Sequence, residues 1–325
     1  MYYEVKKVIY IIYNLIYWRI LMRSDDMPSS LLDKKLLLII NPVSGRRTIL
    51  KYLPEVINIF QKVGYVCTVM ITQNRGDGLR FTEKYANEYD LVVCTGGDGS
   101  LYETVNGIAK QNFHIPLGYI PCGTTNVFAL THNLSLNILN AARNIVSGRV
   151  DTLDIGKFGN QYFTYVAAFG AFCELSTKTS QYRKNQLGRA AYFLDGIKDL
   201  GKIKPIYMKI TVDDVVYEGE YLFGAITNAT NVGGVFELPK NQVNFSDGKM
   251  ELLLIKKPQK PLDIYKILHA MFNQDYSSEN IILTRGSEFH IENPELIEFY
   301  LDGEMSDILP EIDVTVLPNF LSLAY

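Results

Sequence analysis

The stretch VVCTGGDGSLYETV, residues 92–105, indicates how the first half of the chain folds. An apolar run ends in three glycines around Asp98, and apolar residues at helical spacing follow at once. In a strand–loop–helix unit, glycines let phosphate approach the backbone, and the helix N-terminus attracts the anion. A tight turn would explain Gly96 and Gly97, but it would not explain Gly99 as well. The stretch predicts a phosphate-binding loop in which Asp98 shares a magnesium ion with the phosphate.

Two further loops follow strand-like runs, and neither belongs to a Walker A or dinucleotide-binding motif. Residues 41–48, NPVSGRRT, combine a turn of small residues with two guanidinium groups that suit a polyphosphate. Residues 121–126, PCGTTN, offer hydroxyl groups and an amide on a glycine turn. Because the carboxyl ends of parallel strands meet at one edge of a sheet, we expect the three loops to converge on one ligand.

Strand and helix patterns alternate up to about residue 121 and predict a parallel sheet with helices on both faces. From Asp151 onward, short strand patterns are separated by Asp, Asn and Gly turns, with helices near 183–200 and 261–275. The predicted fold is a Rossmann-like three-layer α/β domain followed by a mainly antiparallel β-sandwich domain. We assign residues 34–155 to the first domain and 156–314 to the second, and residues 315–325 could return to the first.

Composition narrows the class of protein. The chain has 325 residues, 47% hydrophobic and 21% charged, and its formal net charge of -3 does not support binding to nucleic acid. Its four cysteines are dispersed without a C-x-x-C pair. This pattern is typical of reduced thiols in a cytosolic protein and speaks against a zinc site or a disulfide framework.

Residues 1–33 form an N-terminal extension with an apolar run, VIYIIYNLIYW, at residues 8–18. The run is shorter than the roughly 20 residues needed to cross a bilayer, and no cleavage site of a signal peptide follows it. Tyr and Trp flanked by Lys and Arg are typical of a helix that lies at a membrane interface. A helix docked on the protein's own surface, or a true start at Met27, would explain the run equally well.

As a group, the motifs NPVSGRR, GGDGSLYETVNGI, PCGTTN, SDG and LDGE, in this order, resemble those of the diacylglycerol kinase catalytic-domain family. That family comprises lipid kinases, more distantly including the sphingosine and ceramide kinases, and the resemblance covers roughly residues 34–325. It implies a fold similar to phosphofructokinases and NAD kinases, with ATP in the cleft between the domains. It also implies magnesium-dependent phosphoryl transfer to a lipid hydroxyl, with diacylglycerol to phosphatidic acid as the favoured reaction. We expect a peripheral protein at the cytosolic face of a membrane, and a homodimer is a further expectation.

The resemblance assigns roles to particular residues. Glu304 matches the general base, which takes the proton from the acceptor hydroxyl, and Asp98 is the second catalytic candidate. A solvated turn residue is the competing interpretation of Glu304. The residues implied to bind the nucleotide are Asn41, Pro42, Val43, Ser44, Gly45, Thr72, Gly96, Gly97, Asp98, Gly99, Ser100, Leu101, Tyr102, Glu103 and Thr124.

Two other groups of residues also match family positions. Asp247 matches a ligand of a structural magnesium ion, with the backbone carbonyls of Asn244 and Lys249 as its neighbours, and a plain Asp-Gly turn is the alternative. Lys184, with Arg183 and Arg189 beside it, matches a basic position near the substrate entrance. Such a cluster could meet anionic lipid head groups, although a solvated charged face would look the same.

One departure from the family pattern matters. Bacterial members usually carry Asp and Arg where this chain has Val127 and Leu130. The change could mean a slower enzyme, a different lipid acceptor, or a catalytically impaired regulator that binds lipid or nucleotide. An NAD kinase-like enzyme for a soluble substrate is the other alternative. The regulator would not require Glu304 to face the GGDG loop across the cleft, whereas the kinase would.

Overall fold

The computed structural model describes residues 34–45, 47–171, 173, 204–232, 236–239 and 243–325. The N-terminal extension, the helix predicted near 183–200 and the basic cluster around Lys184 lie outside the described residues. Within the described ranges, no helix is both long enough and apolar enough to span a bilayer.

The first domain is built on a parallel sheet in which β1 lies between β2 and β3, and β3 pairs with β4. Strands β3 and β4 are buried along their whole length, and β1 is buried over its last five residues. Helices cover both faces of the sheet, and this burial explains why the strand sequences are continuously apolar. These strands are β1 (Lys34–Ile40), β2 (Tyr65–Ile71), β3 (Leu91–Gly96) and β4 (Leu117–Pro121).

Alternate residues of β1 contribute to two separate apolar clusters. Leu36 and Leu38 belong to the same cluster as Phe60 of the first helix, whereas Leu37 and Ile39 belong to a second cluster. Since successive side chains of a strand point to opposite faces, this pattern makes the domain three-layered. The helices are α1 (Ile49–Gln61), α2 (Asp77–Tyr85), α3 (Asp98–Lys110), α4 (Val127–Thr131), α5 (Ile138–Ile145) and α6 (Pro261–Asn273).

The strands of the second domain pair antiparallel to one another, and several have the alternating burial typical of a half-covered sheet. The predicted helix near 261–275 is present as α6. The strands are β5 (Val150–Phe158), β6 (Gln161–Phe163), β7 (Val166–Gly170), β8 (Ile206–Val212), β9 (Val215–Thr227), β10 (Asn231–Val232), β11 (Phe236–Glu237), β12 (Met250–Lys256), β13 (Ile281–Gly286), β14 (Glu288–Glu292), β15 (Tyr300–Leu301), β16 (Glu304–Met305) and β17 (Glu311–Ala324).

Strand β17 joins the two sheets. It pairs antiparallel with β5 and β14, and its last residues, Leu323 and Ala324, pair parallel with Leu117 and Gly118 of β4. The main sheet path therefore runs β16-β15-β7-β9-β8-β14-β17-β4-β3-β1-β2. The predicted fold class, an α/β domain followed by a mainly antiparallel β domain, is confirmed.

His132 lies at the contact between the domains. Its ring is 4.4 Å from that of Phe128 and 4.8 Å from that of Phe245, measured between centroids. The ring Nε2 is buried and has no hydrogen-bond partner in the described structure. Burial lowers the pKa of His132 from 6.5 to about 4, because the apolar surroundings disfavour the charged ring.

This histidine is expected to make the protein sensitive to acid. The unfolded chain binds a proton at His132 near pH 6.5 and the folded chain only near pH 4, so the stabilisation present above pH 6.5 is lost as pH falls toward 4. The loss should be on the order of 1–3 kcal/mol. We expect the melting temperature of His132→Phe to fall less between pH 7 and pH 5 than that of the wild type. His290→Gln, at a half-buried histidine paired with Asp313, is the control. An equal fall in melting temperature for His132→Phe and the wild type would contradict the assignment.

Candidate active site

A cavity of about 1800 Å³ lies between the two domains. Its first wall is formed by the loops that follow β1, β2, β3 and β4 at the carboxyl edge of the parallel sheet. The opposite wall comes from the second domain and includes residues 302–304. The three loops selected from the sequence are thus brought together.

The glycine loop after β3 lies against the loop after β4. The carbonyl oxygen of Gly96 accepts hydrogen bonds from the amides of Cys122 and Gly123, at 2.7 and 3.1 Å. A Cβ atom added to Gly123 would lie 2.5 Å from the Cα atom of Gly97. The two loops can therefore approach so closely only because both positions are glycine.

Asn41 fixes the loop after β1 to the start of α3. Its side-chain Nδ2 donates to Oγ of Ser100 at 2.9 Å, and its Oδ1 accepts from the amide of Val43 at 3.1 Å. Further along the loop, Gly45 has φ +53°, and a Cβ atom there would lie 2.2 Å from the carbonyl oxygen of Cys122. The NPVSG turn thus needs both its asparagine and its glycine to contact the other two loops.

Asp98 is partly buried and caps helix α4. Its two carboxylate oxygens accept hydrogen bonds from the amides of Val127 and Phe128, at 3.0 and 3.1 Å. Burial raises the pKa of Asp98, and these hydrogen bonds oppose the increase. The contact uses the backbone at position 127, so the valine side chain is compatible with it. Asp98 also lines the cavity, and its contact with a magnesium ion stays a prediction.

Glu103 fixes the beginning of α2. Its carboxylate accepts hydrogen bonds from the amides of Gly76 and Gly78, at 2.7 and 3.0 Å. A Cβ atom at Gly78 would lie 2.9 Å from Oε2 of Glu103, so the helix can approach only with glycine there. Glu103 therefore positions the loop after β2. These hydrogen bonds account for a glutamate at position 103 without its predicted contact with the nucleotide.

Glu304 faces the glycine loop across the cavity. It follows the turn between β15 and β16, and a Cβ atom added to Gly99 would lie 2.7 Å from its Oε1. Gly99 thus leaves room for a carboxylate that comes from the other domain. A kinase requires this geometry of its general base, whereas a regulator without catalytic activity would not require it.

Sequence reasoning did not single out Asp302, which holds the turn that carries Glu304. Its buried carboxylate accepts hydrogen bonds from the amides of residues 164–166, at 2.6 to 3.0 Å, and from the hydroxyl of Thr164 at 2.8 Å. Burial raises the pKa of Asp302 to about 6, and the hydrogen bonds oppose the increase. Its φ of 52°, followed by 91° at Gly303, makes the tight turn. The Asp-Gly pair signalled a turn, but nothing in the sequence showed that the carboxylate points inward.

Three of the predicted nucleotide-binding residues are not among the residues that line the cavity. Gly96 is buried within β3, and the side chain of Leu101 belongs to the apolar core. The hydroxyl of Tyr102 accepts from Nε2 of Gln161 at 3.2 Å, toward the second domain. The remaining predicted residues line the cavity together with Glu304: Asn41, Pro42, Val43, Ser44, Gly45, Thr72, Gly97, Asp98, Gly99, Ser100, Glu103 and Thr124.

The predicted magnesium site lies in the second domain, away from the residues that line the cavity. The Asp247 carboxylate accepts from the guanidinium group of Arg285 at 2.6 Å and from the Lys249 amide at 3.2 Å. The side-chain oxygen of Asn244 accepts from the amide of Ser246 at 3.2 Å. The described residues contain no group of three or more His, Cys, Asp or Glu side chains that could hold a metal ion. Arg285 thus competes with a magnesium ion for Asp247, and the magnesium site at Asp247, Asn244 and Lys249 stays a prediction.

Removal of divalent ions should therefore leave the stability of the protein without nucleotide unchanged. We expect the melting temperature in EDTA and in millimolar magnesium chloride to agree within about 1 °C. If the protein had a magnesium site, magnesium at 100 times its dissociation constant would raise the free energy of unfolding by about 2.7 kcal/mol. Arg285→Gln is the variant for comparison, because it removes the cation that pairs with Asp247. We expect magnesium to raise the melting temperature of this variant. A loss of several degrees in EDTA for the wild type would support the ion.

Comparison with known proteins agrees with this geometry. Residues 35–158 match the family model described as "Diacylglycerol kinase catalytic domain", and residues 167–325 match "YegS C-terminal NAD kinase beta sandwich-like domain". A diacylglycerol kinase of Bacillus subtilis (strain 168) is 32% identical over 279 residues, which are 85% of this chain and 92% of that protein. The chain belongs to the diacylglycerol kinase family. It is accordingly a phosphotransferase that acts on a lipid alcohol.

Other relatives support the same membership of the diacylglycerol kinase family. A diacylglycerol kinase of Staphylococcus epidermidis (strain ATCC 12228 / FDA PCI 1200) is 30% identical over 291 residues, covering 89% of this chain and 90% of its own. A crystal structure of a diacylglycerol kinase from Bacillus anthracis str. Sterne is 26% identical, with a TM-score of 0.71 over 90% of this chain and 97% of that one. As in any kinase family, ATP is the implied phosphate donor.

Proposed function

We propose that this lipid kinase transfers the γ-phosphate of ATP to the free hydroxyl of diacylglycerol and so forms phosphatidic acid. The observation that carries the proposal is the position of Glu304, whose carboxylate faces the glycine loop within the cavity between the domains. A general base needs this arrangement, because it must reach a hydroxyl that is itself in line with the phosphate.

The polar half of the cavity suits the triphosphate. The loops after β1, β3 and β4 bring backbone amides and the N-terminus of α3 to one side of the cavity. A helix N-terminus carries a partial positive charge and unpaired amides, both of which attract phosphate. The magnesium ion that accompanies ATP would neutralise further charge as part of the substrate complex.

The other half of the cavity is lined by apolar and aromatic residues of the second domain, and this supports a lipid acceptor. Such a wall removes acyl chains from water and gains roughly 25 cal/mol per Å² of apolar surface. Many acyl chains would suit it, so the polar head of the lipid must decide the specificity. The residues are Tyr165, Val166, Ala168, Phe223, Val232, Phe236, Leu238 and Tyr300.

The reaction is a single displacement. The Glu304 carboxylate takes the proton of the lipid hydroxyl as its oxygen forms a bond to the γ-phosphorus. The bond from that phosphorus to the bridging oxygen breaks, and ADP leaves with the electron pair. Gly97 and Gly99 line the cavity, and we assign their backbone amides to the charge that develops on the phosphate oxygens.

The substrate also bears on where the protein acts. Diacylglycerol lies within membranes, so we propose that the kinase contacts a membrane surface as a peripheral protein on the cytosolic side, where ATP is available. Lys184 and the apolar run at residues 8–18 are the sequence features that suggest this contact. The homodimer stays a prediction.

The test is transfer of labelled γ-phosphate from ATP to lipids in mixed micelles with magnesium. The panel contains diacylglycerol, sphingosine, ceramide, undecaprenol and phosphatidylglycerol, with NAD as a soluble acceptor and the Glu304→Gln protein as the blank. We expect more label to be transferred to diacylglycerol than to any other acceptor in the panel. Label in another acceptor would replace the proposed substrate. Label in none, with ATP still bound, would favour the regulator suggested by Val127 and Leu130.

A further inference from the structure

Arg75 forms an ion pair with the predicted base. Its guanidinium group donates to Oε2 of Glu304, and the pair joins the loop after β2 in the first domain to the turn before β16 in the second. The side chain of Arg75 is 78% exposed and that of Glu304 is 29% exposed. The pair therefore closes part of the cavity where the acceptor hydroxyl and the phosphate have to meet.

The charges around the cavity make this arginine unusual. Among the described residues that line the cavity, Arg75 is the only Lys or Arg side chain. The acidic residues lining it are Asp98, Glu103, Glu237, Asp302 and Glu304. Among the described residues of the cavity, a triphosphate therefore meets one guanidinium group, and that group is bound to the carboxylate proposed as the base.

The backbone beneath Arg75 is held by hydrogen bonds, while its side chain is largely exposed. The amides of Gln73 and Asn74 donate to Oδ2 of Asp77 at 2.8 and 2.9 Å, and the amide of Gly76 donates to Glu103 at 2.7 Å. Rotation of the side chain therefore needs no movement of the loop. An exposed ion pair also contributes little to stability, so its separation has a low cost.

We propose that Arg75 leaves Glu304 and binds the γ-phosphate when ATP binds. A guanidinium group can bind phosphate through two parallel hydrogen bonds, whereas Arg75 donates a single one to Glu304. The γ-phosphate is the one concerned, because Glu304 must lie beside the hydroxyl that attacks it. Glu304 is paired with Arg75 in this structure, and transfer of Arg75 to the triphosphate would free Glu304 to accept a proton. The inference rests on the proposed function and deepens it.

Binding of a non-hydrolysable ATP analogue with an imido link between its β- and γ-phosphates tests this exchange without turnover. We expect Arg75→Met to weaken binding of the analogue about tenfold or more, and Arg75→Lys to recover part of the loss. Binding of ADP should change less than about twofold, since it lacks the γ-phosphate. Arg80→Met is the control: it removes an exposed guanidinium group that pairs with Asp77 and does not line the cavity.

A double-mutant cycle distinguishes exchange from simple charge repulsion. Glu304→Gln removes both the competing partner and its repulsion of phosphate, so it should tighten binding of the analogue. In the Arg75→Met background only the repulsion is removed. We therefore expect the tightening to be several-fold larger when Arg75 is present. Equal tightening in the two backgrounds would overturn the exchange.

Failure of this inference differs from failure of the proposed function. If the wild type binds the analogue and Arg75→Met binds it equally well, Arg75 has no role with the γ-phosphate, and the kinase assignment is unaffected. If the wild type binds neither the analogue nor ADP, the proposed ATP site is wrong and the inference falls with it. Loss of ADP binding in Arg75→Met as large as the loss of the analogue would place Arg75 on the other phosphates and overturn the inference.

Discussion

Glu304→Gln is expected to reduce lipid phosphorylation by about 10³-fold or more while leaving ATP bound. Glutamine keeps the size of the side chain but cannot accept the proton of the lipid hydroxyl. The glycine loop and the loops after β1 and β4, where we propose that the nucleotide binds, belong to the other domain and keep their sequence. The loss should therefore appear in kcat rather than in nucleotide affinity.

The measurement is the rate of label transfer to lipid, together with calorimetric titration of the nucleotide. Glu311→Gln is the matched control, because Glu311 is an exposed carboxylate at the start of β17 and lies outside the cavity. The control should retain the wild-type rate within about twofold, as surface substitutions usually do. A Glu304→Gln rate within tenfold of the wild type would mean that another group removes the proton.

Asp302→Ala is expected to reduce both stability and turnover. The substitution leaves the buried amides of residues 164–166 and the Thr164 hydroxyl without their acceptor. Four unsatisfied buried donors at about 1–3 kcal/mol each should lower the free energy of unfolding by at least about 4 kcal/mol. Alanine is also less favourable than aspartate at a φ of 52°.

Urea denaturation gives the free energy of unfolding, and kcat at a temperature where the variant is folded gives the catalytic effect. We expect kcat to fall because the turn no longer holds Glu304 opposite Gly99, whereas nucleotide affinity should persist. Asp307→Ala, at an exposed carboxylate a few residues further on, is the control. Wild-type stability in Asp302→Ala would show that the amides find other acceptors.

Most of the predicted nucleotide site followed from the sequence, because it depends on local geometry and parallel topology. A loop that follows a buried parallel strand must emerge at the same sheet edge as its neighbours, so the NPVSG, GGDG and PCGTT loops converge. The sequence explained Gly97 by an approaching phosphate, whereas in the structure Gly97 also lies against Gly123 of the loop after β4, a contact that leaves no room for side chains.

The family resemblance assigned Glu304, but its partners could not be predicted. Arg75 and Glu304 are 229 residues apart in sequence, and Asp302 is more than 130 residues from the amides it binds. Charged residues in turns are usually solvated, so composition alone gives no signal for such contacts. Likewise, Arg285 reaches Asp247 from the neighbouring part of the sheet, and no local pattern at Asp247 revealed it.

By itself, the sequence determined the α/β domain, the three loops that meet at its carboxyl edge and the antiparallel character of the second half, because periodicity and glycine placement act over a few residues. Only the tertiary structure decided which side chains meet across the cavity. The side chain of Leu101 faces the core although it follows the glycine loop directly, and the carboxylate of Glu103 is bound by backbone amides of α2. The physical reason is that helix phase and domain packing set the direction of each side chain, and both depend on contacts between residues far apart in the chain.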